Sequence, residues 1–363
     1  MRVVVGMSGG VDSAVSAYLL KKEGYDVVGL FMKNWDSNIN NDKEGITDGV
    51  CPQELDFRDA KAVCDELCIP LYRVDFIKEY WDDVFKYFLS ELEKGRTPNP
   101  DIMCNKYIKF DLFKKEAKKL GADKIATGHY ARIEGNRLLR GVDNNKDQTY
   151  FLSQVSSEQL KDVLFPVGGL TKPEVRKIAE ENNIPVAKKK DSTGICFIGE
   201  RHYQEFIANY LKGKKGDIVD VETGKKVGTH KGLMNYTIGQ RRNVGLSGDE
   251  KRHYVCGKDS KNNILYIAYG DDSKYLLSDE AIIEDMNYIS DRHPVFATAK
   301  FRYRSEDVPV TIEYLENNQI RVKYDNVKAV TPGQACVLYL GRECLGSGII
   351  KEVRRNDKKL WYL

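Results

Sequence analysis

The chain opens on Arg2-Val3-Val4-Val5-Gly6-Met7 and runs directly into Ser8-Gly9-Gly10-Val11-Asp12-Ser13. A short apolar run without polar alternation fits a strand buried on both faces, as in a parallel sheet. Residues 14–23 (AVSAYLLKKE) predict the crossover helix, with Gly24 ending it. Residues 26–32 (DVVGLFM) predict a second buried strand. Between strand and helix, the two glycines let the backbone approach a ligand closely. The helix behind them offers free N–H groups and the positive end of its dipole. Ser8 and Ser13 add hydroxyls. Together these make an anion cradle suited to phosphate. It is not a Walker A loop, because no Gly-Lys-Ser/Thr follows, and G-x-G-x-x-G is absent. A capped glycine turn is the plain alternative, but a turn alone does not need all six residues.

Helices are expected over 54–68, 77–94 and 106–120, and strands over 71–75 and 123–127. Residues 33–53 lack periodicity and read as a long surface loop. Alternating strands and helices predict an α/β domain with an open, mostly parallel sheet over 1–208. The pattern then changes. Residues 209–278 predict a small, mostly β central domain, and 279–363 a C-terminal β-barrel, with Asn317-Asn318 at a hairpin turn.

No apolar stretch approaches the ~20 residues needed to cross a bilayer. Nothing at the N-terminus reads as a leader, so a cytoplasmic protein without membrane contact is expected. The net charge of +3 is too mild to indicate nucleic-acid binding by itself. Residues 201–260, however, hold 12 Lys and Arg against 7 Asp and Glu, a local excess of +5. Basic pairs there, such as Arg241-Arg242 and Lys225-Lys226, are interleaved with Tyr210, Tyr236 and Tyr254. A solvated face and an RNA-contacting surface both fit that pattern.

Of 8 cysteines, none forms a C-x-x-C pair, so no metal site is expected. Cys64 and Cys68 read as buried helix residues. Two others have chemical neighbours. Cys104 follows Pro98-Asn99-Pro100-Asp101 and is expected just before a basic helix, where Lys106, Lys109 and the helix N-terminus would favour thiolate. Asp101 could hold a proton beside it. Cys196 lies in Lys188-Lys189-Lys190-Asp191-Ser192-Thr193-Gly194-Ile195-Cys196, read as a basic, mobile loop. If the two cysteines meet, one could carry a persulfide and the other resolve it by thiol–disulfide exchange. Ligation of an iron–sulfur cluster is the alternative use of such a pair.

SGGVDS resembles the loop of the PP-loop ATP pyrophosphatases, which cleave ATP between the α and β phosphates. In order along the whole chain, PNPDIMCN, GHYAR (128–132), KDQTYFL (146–152), DSTGICFIGE (191–200), YTIGQRRNVG (236–245) and TPGQACVLY (331–339) follow it. The set is similar to that of the tRNA-specific 2-thiouridylases. The resemblance implies ATP-dependent thiolation of the wobble uridine, with ATP and Mg²⁺ as cofactors. It implies ATP contacts at Gly6, Met7, Ser8, Gly9, Gly10, Val11, Asp12, Ser13, Met32 and Gly128. Asn99, Pro100 and Asp101 match target-base contacts. His129, Lys146, Asp147, Gln148, Arg302, Tyr303 and Gln334 match positions that touch tRNA. Cys196 matches the persulfide carrier and Cys104 its partner nucleophile, with Asp101 beside them. The implied partners are the anticodon stem-loop of Lys, Glu and Gln tRNAs and an upstream persulfide carrier or cysteine desulfurase, acting on a monomer. An amide-forming PP-loop ligase and a non-catalytic tRNA-binding module are the competing functions.

Overall fold

Val3, Val4 and Val5 are wholly buried, and side chains along a strand alternate between faces. Val3 and Val5 join one apolar cluster with Ala14, Val63 and Val175. Val4 joins another with Phe85, Phe113 and Ile125. The strand is thus covered on both sides, and helices flank the sheet in two layers. The computed structural model describes residues 1–42, 50–191, 203–246 and 252–363.

The first region comprises β1 (Arg2–Met7), α1 (Val11–Lys22), β2 (Asp26–Lys33), α2 (Pro52–Glu66) and β3 (Leu71–Asp75). Two long helices follow, α3 (77–93) and α4 (100–119), each with an inner stretch of wider π-type turns, over Trp81–Phe85 and Cys104–Leu112. Then come β4 (Lys124–Ala126), β5 (Ala131–Glu134), β6 (Arg137–Arg140), α5 (Thr149–Leu152), α6 (Ser157–Leu160), β7 (Val163–Leu164) and α7 (Lys172–Glu181). The sheet order is β3-β2-β1-β4-β7, and every pairing is parallel. The order reverses direction between β1 and β4. In open α/β sheets, ligands bind in the crevice beyond the carboxyl ends at such a point.

After α8 (Tyr203–Ala208), the strands β8 (Gly216–Asp220), β9 (Lys226–His230), β10 (His253–Asp259) and β11 (Ile264–Tyr269) form a small sheet, ordered β10-β11-β8-β9. The last region comprises β12 (Leu277–Tyr288), β13 (Phe296–Lys300), β14 (Val308–Tyr314), β15 (Ile320–Lys328), β16 (Ala335–Leu340) and β17 (Glu343–Arg355). β12 pairs with both β15 and β17, which closes a six-stranded antiparallel barrel and removes its open edges. Asn317 and Asn318, at φ 56° and 55°, make the turn between β14 and β15 as expected.

Several expectations are corrected. The segment after β2 is not a surface loop where it is described. Trp35, Ser37 and Asp42 are buried, the Trp35 indole donates to Asp42 Oδ2 at 3.1 Å, and its rings pack against Phe85 and Phe206. One aromatic anchor does there what periodicity does in a helix. α4 starts six residues earlier than expected, because Asn99 caps it and Pro100 fills its first turn. Cys104 therefore lies inside the helix. Cys68 is exposed, at φ 47° beyond the end of α2. The interleaved Tyr210 and Tyr236 turn inward, Tyr210 against Phe85 and Tyr236 into the core of the central sheet.

The three regions are stitched together. The β5–β6 hairpin extends the barrel sheet, with Leu139 opposite Glu343 and Leu138 opposite Cys344. Tyr150 OH donates to Ala335 O at 3.2 Å, and Gln154 Nε2 to Ser347 O at 2.7 Å. A fragment ending at residue 208 leaves this hairpin edge and these buried polar groups without partners. Size-exclusion chromatography is expected to show it aggregated where the full chain is monodisperse. A folded, monodisperse fragment would contradict that dependence.

Candidate active site

The SGGVDS loop leaves the carboxyl end of β1. Gly9 has φ +74°, and a Cβ there would lie 2.3 Å from the Asp56 carbonyl oxygen, so only glycine fits between the loop and α2. Gly10 caps α1 from an extended conformation and, having no side chain, places no capping group over the helix N–H groups. Ser13 Oγ donates to Gly10 O at 3.0 Å and accepts from Ser8 N at 3.2 Å. Ser8 Oγ lies 3.1 Å from Ser13 Oγ and is exposed. The two hydroxyls thus sit together at the N-terminal turn of α1, whose free N–H groups favour an anion.

Met32 is the penultimate residue of β2, next to Phe31, which pairs with Met7 at the end of β1, and Gly128 follows β4. A Cβ on Gly128 would come within 2.7 Å of Ser13 N and 2.8 Å of Asp12 C. The loop after β4 thus rests directly on the first turn of α1. Gly6 through Ser13, Met32 and Gly128 share one end of the sheet, at the crevice where its order reverses.

A charge network lies against the loop. Asp12 Oδ1 accepts from Tyr130 OH at 2.8 Å and from Lys172 Nζ at 2.7 Å. Lys172, first residue of α7, also pairs with Asp191 Oδ1 at 2.8 Å. Asp191 takes Lys146 at 2.6 Å and Arg176 at 2.5 Å as well. Burial opposes the Asp191 charge, yet Lys146 and Lys172 hold its carboxyl down to about 2. Lys189 pairs with Asp56 at 2.8 Å and Asp59 at 2.5 Å of α2 and donates to Gly9 O at 3.1 Å. Lys189 thus straps the loop, whereas Lys188 and Lys190 are exposed; the part of the expected basic, mobile loop from 192 to 200 lies outside the described residues. Among the described residues no group of three or more His, Cys, Asp and Glu could hold a metal. A single carboxylate, Asp12, suits Mg²⁺, which takes most of its ligands from phosphate oxygens and water.

α4 runs beside this end of the sheet. Its Phe113 ring reaches within 3.5 Å of a Cβ position on Gly6, and Phe110 lies 5.7 Å from the His129 ring. Asn99 Oδ1 accepts from Asp101 N at 3.1 Å. Cys104 is 1% exposed. Burial pushes its thiol up to about 11, with Lys109 pulling the other way and Asp101 adding to the rise. The helix-start setting expected to favour a thiolate does not hold, because the residue is inside the helix and desolvation disfavours its charged form. Cys196 lies outside the described residues.

The residues matched to tRNA contacts hold varied positions. Lys146 carries the ion pair above. Burial raises the Asp147 carboxyl, which accepts from Gly141 N and from the Thr149 hydroxyl. Gln148 Oε1 accepts from Tyr130 N at 2.9 Å. His129 is buried with Nδ1 2.7 Å from Thr127 Oγ1, and burial holds its imidazole neutral. Arg302 donates to Ile238 O and Ala329 O, joining central sheet and barrel. Tyr303 packs 4.4 Å from the Phe151 ring. Gln334 Nε2 donates to Thr97 O at 2.6 Å, and Thr97 N to Pro332 O at 3.2 Å. The barrel thereby clamps the approach to α4.

Lys172, Tyr130 and Arg176 escaped the sequence reading. One signal was present: a lysine in the first turn of a helix opposes the macrodipole, and Thr171 and Glu174 mark that turn by a capping box.

Three family models match the chain in order. They are the tRNA methyl transferase HUP domain over 1–200, the tRNA methyl transferase PRC-barrel domain over 204–269 and the aminomethyltransferase beta-barrel domain over 278–350. The tRNA-specific 2-thiouridylase MnmA of Mycoplasmopsis synoviae strain 53 is 56% identical, across 99% of this chain and 98% of its own. The chain belongs to the tRNA-specific 2-thiouridylase family. The Staphylococcus carnosus strain TM300 relative is 54% identical across 100% of this chain and 98% of its own. A Geobacillus kaustophilus strain HTA426 relative, tRNA-specific 2-thiouridylase MnmA 2, is 52% identical across the same shares. Membership covers all three regions of the fold, and no described helix is long and apolar enough to cross a membrane.

Two expectations follow. Gly128→Ala should abolish ATP binding, measured by calorimetry, while leaving the circular dichroism spectrum intact; normal binding would contradict the close packing described. Iodoacetamide should label exposed Cys68 well before Cys104 at pH 8, by peptide mass spectrometry. The Cys104 rate should climb with pH until about 11; equal rates at pH 8 would contradict its burial.

Proposed function

We propose that this chain uses ATP to replace the C2 oxygen of the tRNA wobble uridine with sulfur. The observation that carries the reading is the phosphate cradle at the sheet's reversal point, set beside the helix that bears Asn99, Asp101 and Cys104. The names of relatives more than half identical over the full length support it. The family-model descriptions speak of methyl transfer, but a cradle for a polyphosphate and the relatives' names both favour sulfur transfer.

The uracil C2 oxygen is a poor leaving group. Its attack on the α-phosphorus of ATP breaks the bond to pyrophosphate and leaves O2 adenylated. Ser8, Gly9, Gly10 and Ser13 would hold the phosphates through hydroxyl and N–H donors, and Asp12 would share Mg²⁺ with them. That ion supplies charge neutralisation on the departing pyrophosphate. Asn99, Pro100 and Asp101 would hold the target base. The wobble base lies in a single-stranded loop, so turning it into a pocket costs only about a few kcal/mol.

Cys196 would carry a persulfide supplied by an upstream sulfur donor. Cys104, once deprotonated with Asp101 as acceptor, attacks Cys196 Sγ. The bond to the terminal sulfur breaks, and that sulfur leaves with the electron pair. It attacks C2 and expels AMP. A Cys104–Cys196 disulfide remains, and an external dithiol reduces it. His129, Lys146, Gln148, Arg302, Tyr303 and Gln334 would order the surfaces that receive the tRNA, and the exposed cations of the central sheet add phosphate contacts.

The test is reconstitution. Purified protein, MgATP, a persulfide donor, a dithiol and unmodified tRNA of the Lys, Glu or Gln type should yield 2-thiouridine by nucleoside mass spectrometry. Cys196→Ser and Cys104→Ser should each abolish multiple turnover while tRNA-dependent pyrophosphate release persists. Undiminished product from either variant would overturn the persulfide route. Adenylation of a carboxyl-bearing substrate, with no thiouridine, would instead indicate an amide-forming ligase.

A further inference from the structure

We propose that Lys109 is a positioning residue for sulfur transfer: it steadies the negative charge on Cys104 as that sulfur attacks, and the wide turns of α4 bring the two residues to one face. This rests on the reading that Cys104 is the attacking sulfur. In an α-helix a residue five positions on stands about 140° around the axis, nearly on the opposite side. Between Cys104 and Leu112 the turns are of the wider π type, and Phe113 N beyond them donates to Ile108 O. Hydrogen bonds in such turns join residues five apart, so each residue lies over the one five before it. Lys109 stands at that spacing from Cys104. An ordinary helix would turn it away, and the wide turns bring it back. Turns of this kind are rare and gather at functional sites.

Lys109 is half-buried, on the same helix as a thiol that is wholly enclosed. Its charge pulls the Cys104 thiol down against burial and helps keep the His129 imidazole neutral. Its neighbour Phe110 lies 5.7 Å from the His129 ring, so this part of α4 faces the loop after β4. Lys106, the other lysine of the stretch, points elsewhere. Its Nζ donates to Gln154 Oε1 at 3.2 Å, and Gln154 in turn donates to Ser347 O of the barrel. α3, α5 and α6 pack on the same stretch. α5 has no charged side chain. On α3, Asp82 pairs with Lys78 and Lys86, Glu91 pairs with Lys94 and Arg96, and Asp83 acts on Tyr107. Glu158 of α6 pairs with Lys161. Among the described residues, the charges acting on Cys104 are those of Lys109 and Asp101. These two oppose each other, and they suit successive moments. Asp101 accepts the thiol proton and becomes neutral. Lys109 then faces the thiolate with no competing carboxylate. The bond from Cys104 Sγ to Cys196 Sγ forms, and the terminal sulfur leaves with the electron pair of the bond that breaks.

The test uses the full-length protein and two readouts. The first is iodoacetamide labelling of Cys104 across pH 7 to 10, by peptide mass spectrometry, with exposed Cys68 as the reference in the same chain. Lys109→Gln should move the Cys104 profile toward higher pH. At pH 8 its labelling should slow about threefold, the net of a smaller thiolate fraction and a more reactive thiolate. Lys109→Arg should return within about twofold of wild type, and so should Lys106→Gln. The second readout is single turnover with persulfide-loaded enzyme, MgATP and tRNA. Lys109→Gln should leave pyrophosphate release within about twofold and slow 2-thiouridine formation about threefold, with the same displacement in pH. Should Lys109→Gln fail to fold, Lys109→Met replaces it, and Lys106→Gln still decides whether one lysine is singled out. Unchanged or faster Cys104 labelling in the neutral Lys109 variant would overturn the proposal. So would an equal slowing by Lys106→Gln, or a parallel loss of pyrophosphate release, which marks a structural role. If wild type forms no 2-thiouridine, the parent reading fails instead, and the labelling profiles still decide whether Lys109 governs the Cys104 charge.

Discussion

The close contact between two backbone segments at the carboxyl end of the parallel sheet governs the rest of the site. β1 is buried on both faces, so its end is a fixed platform. The loop after β4 lies so near the first turn of α1 that Gly128 has no room for a Cβ, and the loop after β1 lies so near α2 that Gly9 has none either. These two approaches fix where Asp12, Ser8 and Ser13 stand. Lys189 and Tyr130 add polar ties to the same loop. Phosphate binding by backbone N–H groups requires such rigidity, because a mobile loop loses entropy on every encounter.

The second constraint is the barrel. It lies far along the chain, yet Gln334 and Pro332 hold Thr97, two residues before the cap of α4. Gly333 has φ +91°, and a Cβ there would sit 2.9 Å from Arg96 Cβ. The position of Asn99, Asp101 and Cys104 therefore depends on a domain that carries none of the SGGVDS loop. A hairpin from the first region completes the tie by pairing with β17.

Much of this was legible in the sequence. The buried strand, the glycine turn and the crossover helix follow from local pattern, and the hairpin at Asn317-Asn318 from turn chemistry. What escaped did so for physical reasons. Asn99-Pro100 reads as a stiff loop until its role as a helix cap is seen, and that shift carried Cys104 from just before the helix to a buried turn within it. Trp35 is an isolated anchor with no period to betray it. The β5–β6 hairpin and the Asp12–Lys172–Asp191 network join residues distant in sequence, and no local pattern encodes such meetings. The tyrosines of the basic segment fit either a solvated face or an RNA-contacting surface, but Tyr210 packs on Phe85 and Tyr236 in the core of the central sheet, while Tyr254 alone of the three stays at the surface against Lys328.

The central claim is that ATP activates the oxygen that sulfur replaces. Its most direct measure is a tRNA whose target uridine carries ¹⁸O at O2, turned over with unlabelled ATP and a persulfide donor. The account predicts that the label appears in the phosphate of AMP, one atom for each 2-thiouridine formed. Label recovered in water or inorganic phosphate, with AMP unlabelled, would contradict it.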